Sequence, residues 1–150
     1  MSAALVSAAS LLWMSMGVGT VAFQEELLEV RDMPRSSQLE GVLPLTSGEV
    51  VDLLLDRVEV GQVVVPSHRE LEGPPGEQYI ARYESTERME YERRGEAAQP
   101  WIWFVTDEGA LCRGASRRTS ACRVIKVFEG RYYAVGARSG AIRYVFEVHD

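Results

Sequence analysis

No charged side chain precedes Glu25, and residues 3–23 form an almost unbroken apolar run. At about 1.5 Å of rise per residue, such a run makes a helix of roughly 32 Å, close to the roughly 30 Å hydrocarbon core of a bilayer. It predicts a transmembrane anchor over residues 1–24. Ser7, Ser10, Ser15, Gly17, Gly19 and Thr20 leave it only moderately hydrophobic, which suits a helix packed beside another helix. Ala4, Ala8, Ser15, Gly19 and Ala22 fall on one face at spacings of three, four and seven. The Ser15-x-x-x-Gly19 portion lets a second backbone approach closely.

A cleaved export signal is the competing reading. Thr20-Val21-Ala22 offers a small-residue cleavage site, but export signals open with Lys or Arg, and the first basic residue here is Arg31. For a retained anchor, Arg31 and Arg35 follow the span with no basic side chain before it. The positive-inside rule then places the N-terminus outside and the remaining domain in the cytoplasm.

Beyond the run, enough chain remains for one domain with its own core. The net charge of −6 is unevenly spread: residues 1–75 carry four arginines against 11 carboxylates, whereas residues 112–144 carry eight basic groups against Glu129 alone. The basic district suits anionic headgroups or an acidic partner, and it suits equally an ordinary solvated face. With a negative total and no recognisable nucleic-acid module, nucleic acid is not an expected partner.

Residues 25–48 read as a stalk and linker: good helix formers run to Val30, and Pro34, Gly41, Pro44 and Gly48 interrupt the chain beyond it, leaving at most a short extended piece. Thr46-x-x-Glu49 fits a capping box ahead of Val50, Val51, Leu54, Leu55 and Val58, which predicts a short helix over 48–57. A β-branched strand is predicted over 60–65. From Tyr79 to Tyr91 the odd positions are tyrosine-rich and the even ones charged, the period of a half-exposed strand or bent hairpin with a tyrosine face turned inward. Strand-like segments over 101–106, 110–113, 121–128, 131–135 and 141–148 are separated by Asp107-Glu108-Gly109, Glu129-Gly130 and Arg138-Ser139-Gly140. The expected fold is mainly β, a small antiparallel barrel or sandwich over residues 49–150 with one short helix, behind an N-terminal apolar transmembrane helix.

Chemistry-bearing residues are few. Cys112 and Cys122 flank what reads as an arginine-rich hairpin tip, and they form one disulfide if the chain is exported or stay free thiols in a reducing cytoplasm. Their spacing is not that of a zinc ribbon, and the only histidines are His68 and His149. No phosphate-loop, dinucleotide, nucleophile-elbow or zinc-protease string occurs. Trp101 and Trp103 share one strand face, either as core or as a docking surface. Arg117-Arg118-Thr119-Ser120 resembles a basophilic phosphorylation site.

These features predict a non-catalytic, single-pass membrane-anchored accessory or scaffolding subunit. It has no cofactor and no metal, and its partners are the bilayer and other membrane protein subunits. The helix-packing face is Ala4, Ala8, Ser15, Gly19 and Ala22, and the basic interaction loop is Arg113, Arg117, Arg118 and Arg123. The alternative is an exported β-rich binding domain with a cleaved signal and a Cys112–Cys122 disulfide. An enzyme built on His68 with a carboxylate or thiol is a third reading.

Overall fold

The computed structural model describes Phe23 and residues 33–150. The expected anchor, its face of Ala4, Ala8, Ser15, Gly19 and Ala22, and residues 24–32 of the stalk lie outside the described residues. Among the described residues, no helix is long and apolar enough to cross a membrane.

The domain is a closed, eight-stranded antiparallel barrel whose strands run in sequence order, with the last pairing back onto the first. The strands are β1 (Val58–Val63), β2 (Gln78–Tyr83), β3 (Arg88–Arg93), β4 (Gln99–Val105), β5 (Leu111–Gly114), β6 (Ala121–Phe128), β7 (Arg131–Gly136) and β8 (Ile142–His149). Closure leaves no unpaired sheet edge. Three short helices accompany them: α1 (Ser36–Leu39), α2 (Ser47–Leu54) and α3 (Arg69–Glu72).

The strand-like segments expected beyond residue 100 coincide with β4 to β8 to within about two residues, and β6 has the predicted bounds. Tyr79 to Tyr91 is a hairpin of β2 and β3 rather than one strand, paired from Tyr79↔Arg93 to Tyr83↔Met89. A two-residue type I′ turn needs positive φ at both central positions, and Glu129 and Gly130 supply it at 50° and 80° between β6 and β7.

β1 starts and ends two residues earlier than predicted. Past Val63 the chain bends, so that both Val64 and Val65 donate to the Arg143 carbonyl, at 2.7 and 3.0 Å. The α2 capping box is present in full: the Glu49 amide donates to Thr46 Oγ1 and the Thr46 amide to Glu49 Oε1. The helix nevertheless stops at Leu54, because Asp56 turns left-handed (φ 64°) and donates its N–H to the Tyr83 carbonyl, delivering the chain into β1.

Residues expected as irregular connector instead contain α1. The Gln38 side chain accepts from the Arg35 amide, Lys126 Nζ donates to the Leu39 carbonyl, and Leu39 is buried against Tyr133, Val135, Ile142 and Val145 on the outer face of β7 and β8. Burying that one leucine stabilises by about 1.5–3 kcal/mol, enough to hold a four-residue helix that propensity alone would not.

The barrel interior is filled with side chains. Val63, Tyr79, Ala81, Tyr83, Met89, Tyr91, Trp101, Trp103, Leu111, Ile125, Ala134, Tyr144 and Phe146 form one buried cluster, and Val50 and Leu54 of α2 close one mouth over it. Leu71 of α3 packs against the same cluster. The two tryptophans are therefore core, with Trp101 stacked on Tyr91 (centroids 4.1 Å apart) and Trp103 edge-on to Tyr83 (4.8 Å). Eight strands leave a bore just wide enough for such filling.

Gly61 shows how tight the fit is: a Cβ there would overlap the Tyr79 ring, with Cε1 only 2.6 Å away. Gly61→Ala is expected to cost about 1–3 kcal/mol as an overpacked core, read as a lower urea midpoint with an unchanged slope. A midpoint equal to wild type would show that the bore has slack.

Candidate functional site

Two acids and two arginines lie inside the barrel: Glu59 (0 % exposed), Glu72 (3 %), Arg113 (4 %) and Arg123 (4 %). Strand alternation puts three of them there. Glu59 shares a face with Gly61 and Val63, Arg113 with Leu111, and Arg123 with Ile125, so each charge projects into the bore beside apolar neighbours. A charge in that setting must be paired and hydrogen-bonded.

Glu59 meets this condition at mid-barrel. Arg113 Nη1 lies 3.0 Å from both carboxylate oxygens, Tyr83 donates to Oε1 at 2.7 Å, and Tyr79 donates to Oε2. Arg113 also donates to the Tyr83 hydroxyl oxygen at 2.7 Å. Its guanidinium faces the Tyr79 and Tyr144 rings at 5.3 and 4.8 Å, within the range of a favourable cation–π contact.

Glu72 forms a second centre where α3 covers the other mouth. Its Oε1 accepts from Arg123 Nη2 at 3.0 Å and from the Tyr144 hydroxyl, and its Oε2 accepts from the His68 amide at 2.8 Å. Tyr91 donates to the Glu72 carbonyl at 2.7 Å. Tyr144 joins the two centres, because its ring also lies 4.6 Å from the Arg123 guanidinium.

Titration reflects this arrangement. Burial raises the Glu72 carboxyl, but Arg123, the Tyr144 hydroxyl and the His68 amide together outweigh it and leave the group below its ordinary 4.5. Burial pushes Tyr144 up to about 12, with Arg113 and Arg123 opposing. Burial, reinforced by the Glu59 carboxylate, lifts Tyr79 and Tyr83 well above 10.

Arg123 also borders the outside. At the α3 mouth, the β1–α3 connection, the start of β6 and the β7–β8 turn enclose a cleft of about 320 Å³ lined by Ser67, Cys122, Arg123, Arg138, Ser139 and Arg143, together with small residues. Arg123 Nη2 donates to Ser67 Oγ at 2.8 Å, while its buried Nε–H has no partner among the described residues. An unsatisfied buried donor costs about 1–3 kcal/mol. Among the described residues, neither Arg138 nor Arg143 is held by an ion pair or a side-chain hydrogen bond.

The expected basic loop therefore divides. Arg113 and Arg123 do not belong to an exposed loop: they point inward from β5 and β6 and are neutralised by Glu59 and Glu72. Arg117 and Arg118 are exposed on the hairpin tip, where Arg117 lies 4.1 Å above the Phe104 ring. Cys112 and Cys122 are register partners in β5 and β6 and form a disulfide beside the cleft. His68 is exposed at the start of α3, and His149 Nε2 lies 3.4 Å from Glu147. Among the described residues, no group of three His, Cys, Asp or Glu side chains is placed to hold a metal.

No family model matches the chain, and no characterised protein or solved structure was found to resemble it.

Because the folded Glu72 carboxyl titrates below its unfolded value, its stabilisation is complete above about pH 4.5 and is lost as pH falls through the lower folded value. Glu72→Gln leaves Arg123 without its counter-charge and is expected to cost about 3–5 kcal/mol at neutral pH. The difference from wild type narrows on acidification in denaturant titrations run down the pH scale. A difference constant from neutral to acid pH would remove the carboxylate from this role.

Proposed function

We propose that this protein is a non-catalytic binding domain that works on the oxidising side of a membrane and reaches it through the apolar segment at residues 3–23. The observation that carries the reading is the Cys112–Cys122 disulfide. Such bonds persist in exported and periplasmic settings and are rare where glutathione and thioredoxin keep thiols reduced. Set against a cytoplasmic placement that rests on Arg31 and Arg35 alone, the disulfide weighs more.

A binding role fits the bore better than catalysis does. The buried titratable groups Glu59, Arg113, Glu72, Tyr79, Tyr83 and Tyr144 are committed to one another or to Arg123, which leaves the rim and outer surface for ligands. The small-residue face of Ala4, Ala8, Ser15, Gly19 and Ala22 supports a second element of the reading. In a retained anchor it would pack against another membrane helix, making the domain an accessory subunit whose barrel is displayed outside.

Intact-mass analysis with thiol alkylation, on chain isolated from native membrane and soluble fractions, tests this. The expected result is no alkylation until a reductant is added, then two modified cysteines. Full-length chain in the membrane fraction identifies an anchor, whereas a chain beginning near Phe23 in a soluble exported fraction identifies a cleaved signal. Two freely alkylated cysteines in freshly isolated protein would contradict the export reading.

A further inference from the structure

We propose that the cleft between Arg123, Arg138 and Arg143 binds a phosphate dianion, either free or as a phosphomonoester group. The inference rests on the reading of the chain as a binding domain and names what that domain holds.

Three arginines from three separate elements line the cleft: Arg123 of β6, Arg138 of the β7–β8 turn and Arg143 of β8. One of them, Arg123, is balanced by Glu72. Arg138 and Arg143 are not balanced by any described residue, so the cleft carries a surplus of positive charge. Like charges drawn into one concave site repel one another, and a folded protein that keeps them there without a counter-ion is set up to receive one.

The inner end of the cleft gives independent support. Arg123 is 4 % exposed and fixed there by Ser67 and Glu72, and its buried Nε–H has no acceptor among the described residues, so its positive charge is not fully compensated from within the protein. Ser67 Oγ accepts from Arg123, which leaves the hydroxyl proton to donate elsewhere. Ser139 Oγ accepts from the Ala141 amide at 3.1 Å and likewise keeps its proton. The inventory is therefore guanidinium N–H donors from three arginines and two hydroxyl donors. Donors of this number and charge match a tetrahedral oxyanion with several acceptor oxygens better than a planar carboxylate, and arginine is the side chain best suited to bind phosphate through paired N–H groups.

The cleft volume of about 320 Å³ accommodates a phosphate with a small substituent. The neighbouring disulfide holds β5 to β6 one residue before Arg123, so the innermost donor is anchored by both the ion pair and the cross-link.

The probe is inorganic phosphate, titrated calorimetrically into the oxidised chain at neutral pH and low ionic strength. Saturable one-site binding is expected. It weakens at least about tenfold in Arg138→Gln/Arg143→Gln, which removes two charge-assisted donors, and stays within about twofold of wild type in Arg117→Gln/Arg118→Gln, which removes the same charge from the hairpin tip. Among the described residues none of these four arginines carries an ion pair, so Arg138→Gln/Arg143→Gln is expected to unfold at the wild-type urea midpoint and Arg117→Gln/Arg118→Gln slightly below it, through loss of the Arg117–Phe104 ring contact; a cooperative urea transition in both variants is the control for folding.

A second arm distinguishes the sources. Retention that is stronger on phosphatidic acid vesicles than on phosphatidylcholine vesicles, with the excess competed by inorganic phosphate, assigns the group to a lipid headgroup; phosphate binding with equal retention on both vesicles, the part owed to the apolar segment alone, assigns it to a soluble ligand. Absence of saturable phosphate binding, or equal weakening in both variant pairs, overturns the proposal. The export reading is judged separately by thiol state: an oxidised chain that ignores phosphate loses only this inference, and a reduced chain that binds it loses only the export reading.

Discussion

Glu59 and Arg113 face each other at the centre of a bore otherwise filled with rings and aliphatic side chains, and the composition of the interior stems from that pairing. Neither charge can be buried alone: the penalty for removing an ion from water is several kcal/mol even after relaxation, and attraction between the partners offsets it only when the remaining donors and acceptors are also occupied. Tyr79 and Tyr83 occupy the carboxylate, and Tyr79, Tyr91 and Tyr144 surround the guanidinium. A tyrosine in the bore supplies both a ring to pack and a hydroxyl to donate, which explains why tyrosine rather than phenylalanine lines β2 and β3. Buried pairs of this kind add little net stability compared with a well-packed apolar core. They do fix register, because sliding a strand by one residue turns the charge out of the bore and leaves its partner unpaired.

The second pair carries this constraint to the surface. Glu72 is the last residue of a four-residue helix too short to form on its own, and its carboxylate ties that helix to Arg123, Tyr144 and the preceding loop. The mouth is therefore closed by electrostatics as much as by packing. Arg123 in turn stands between the interior and the cleft, with Glu72 on one side and Arg138 and Arg143 near the other. The proposed phosphate cleft is thus built on an arginine fixed by an ion pair and a hydrogen bond rather than on the exposed hairpin tip.

Much of the β architecture is written in short-range patterns. Period-two alternation marks the β2–β3 hairpin, strand-like composition marks the segments of β4 to β8, Glu129-Gly130 marks the β6–β7 turn, and Thr46-x-x-Glu49 marks the start of α2. Barrel and sandwich stayed equivalent, because closure depends on β1 pairing with β8, across a separation that no local pattern reports. α1 and α3 were not legible either, since each depends on one tertiary contact: Leu39 against β7 and β8, and Glu72 against Arg123. The inward placement of Arg113 and Arg123 is hidden for a related reason. A run of arginines looks solvated when charge is counted along the chain, yet the alternation of Arg113 with Leu111 and of Arg123 with Ile125 already placed both on an apolar face. The acids that answer them, Glu59 and Glu72, lie 54 and 51 residues away in sequence, and only the folded barrel brings them together.

The most direct test is a double-mutant cycle between Glu59 and Arg113 by urea unfolding of wild type, Glu59→Gln, Arg113→Met and the double variant. Each single change strands a buried polar partner and is expected to cost about 3–5 kcal/mol, while the double variant costs less than the sum by more than about 1 kcal/mol. Additive losses would mean that the two side chains do not act as a pair, and the interior would then be held by packing alone.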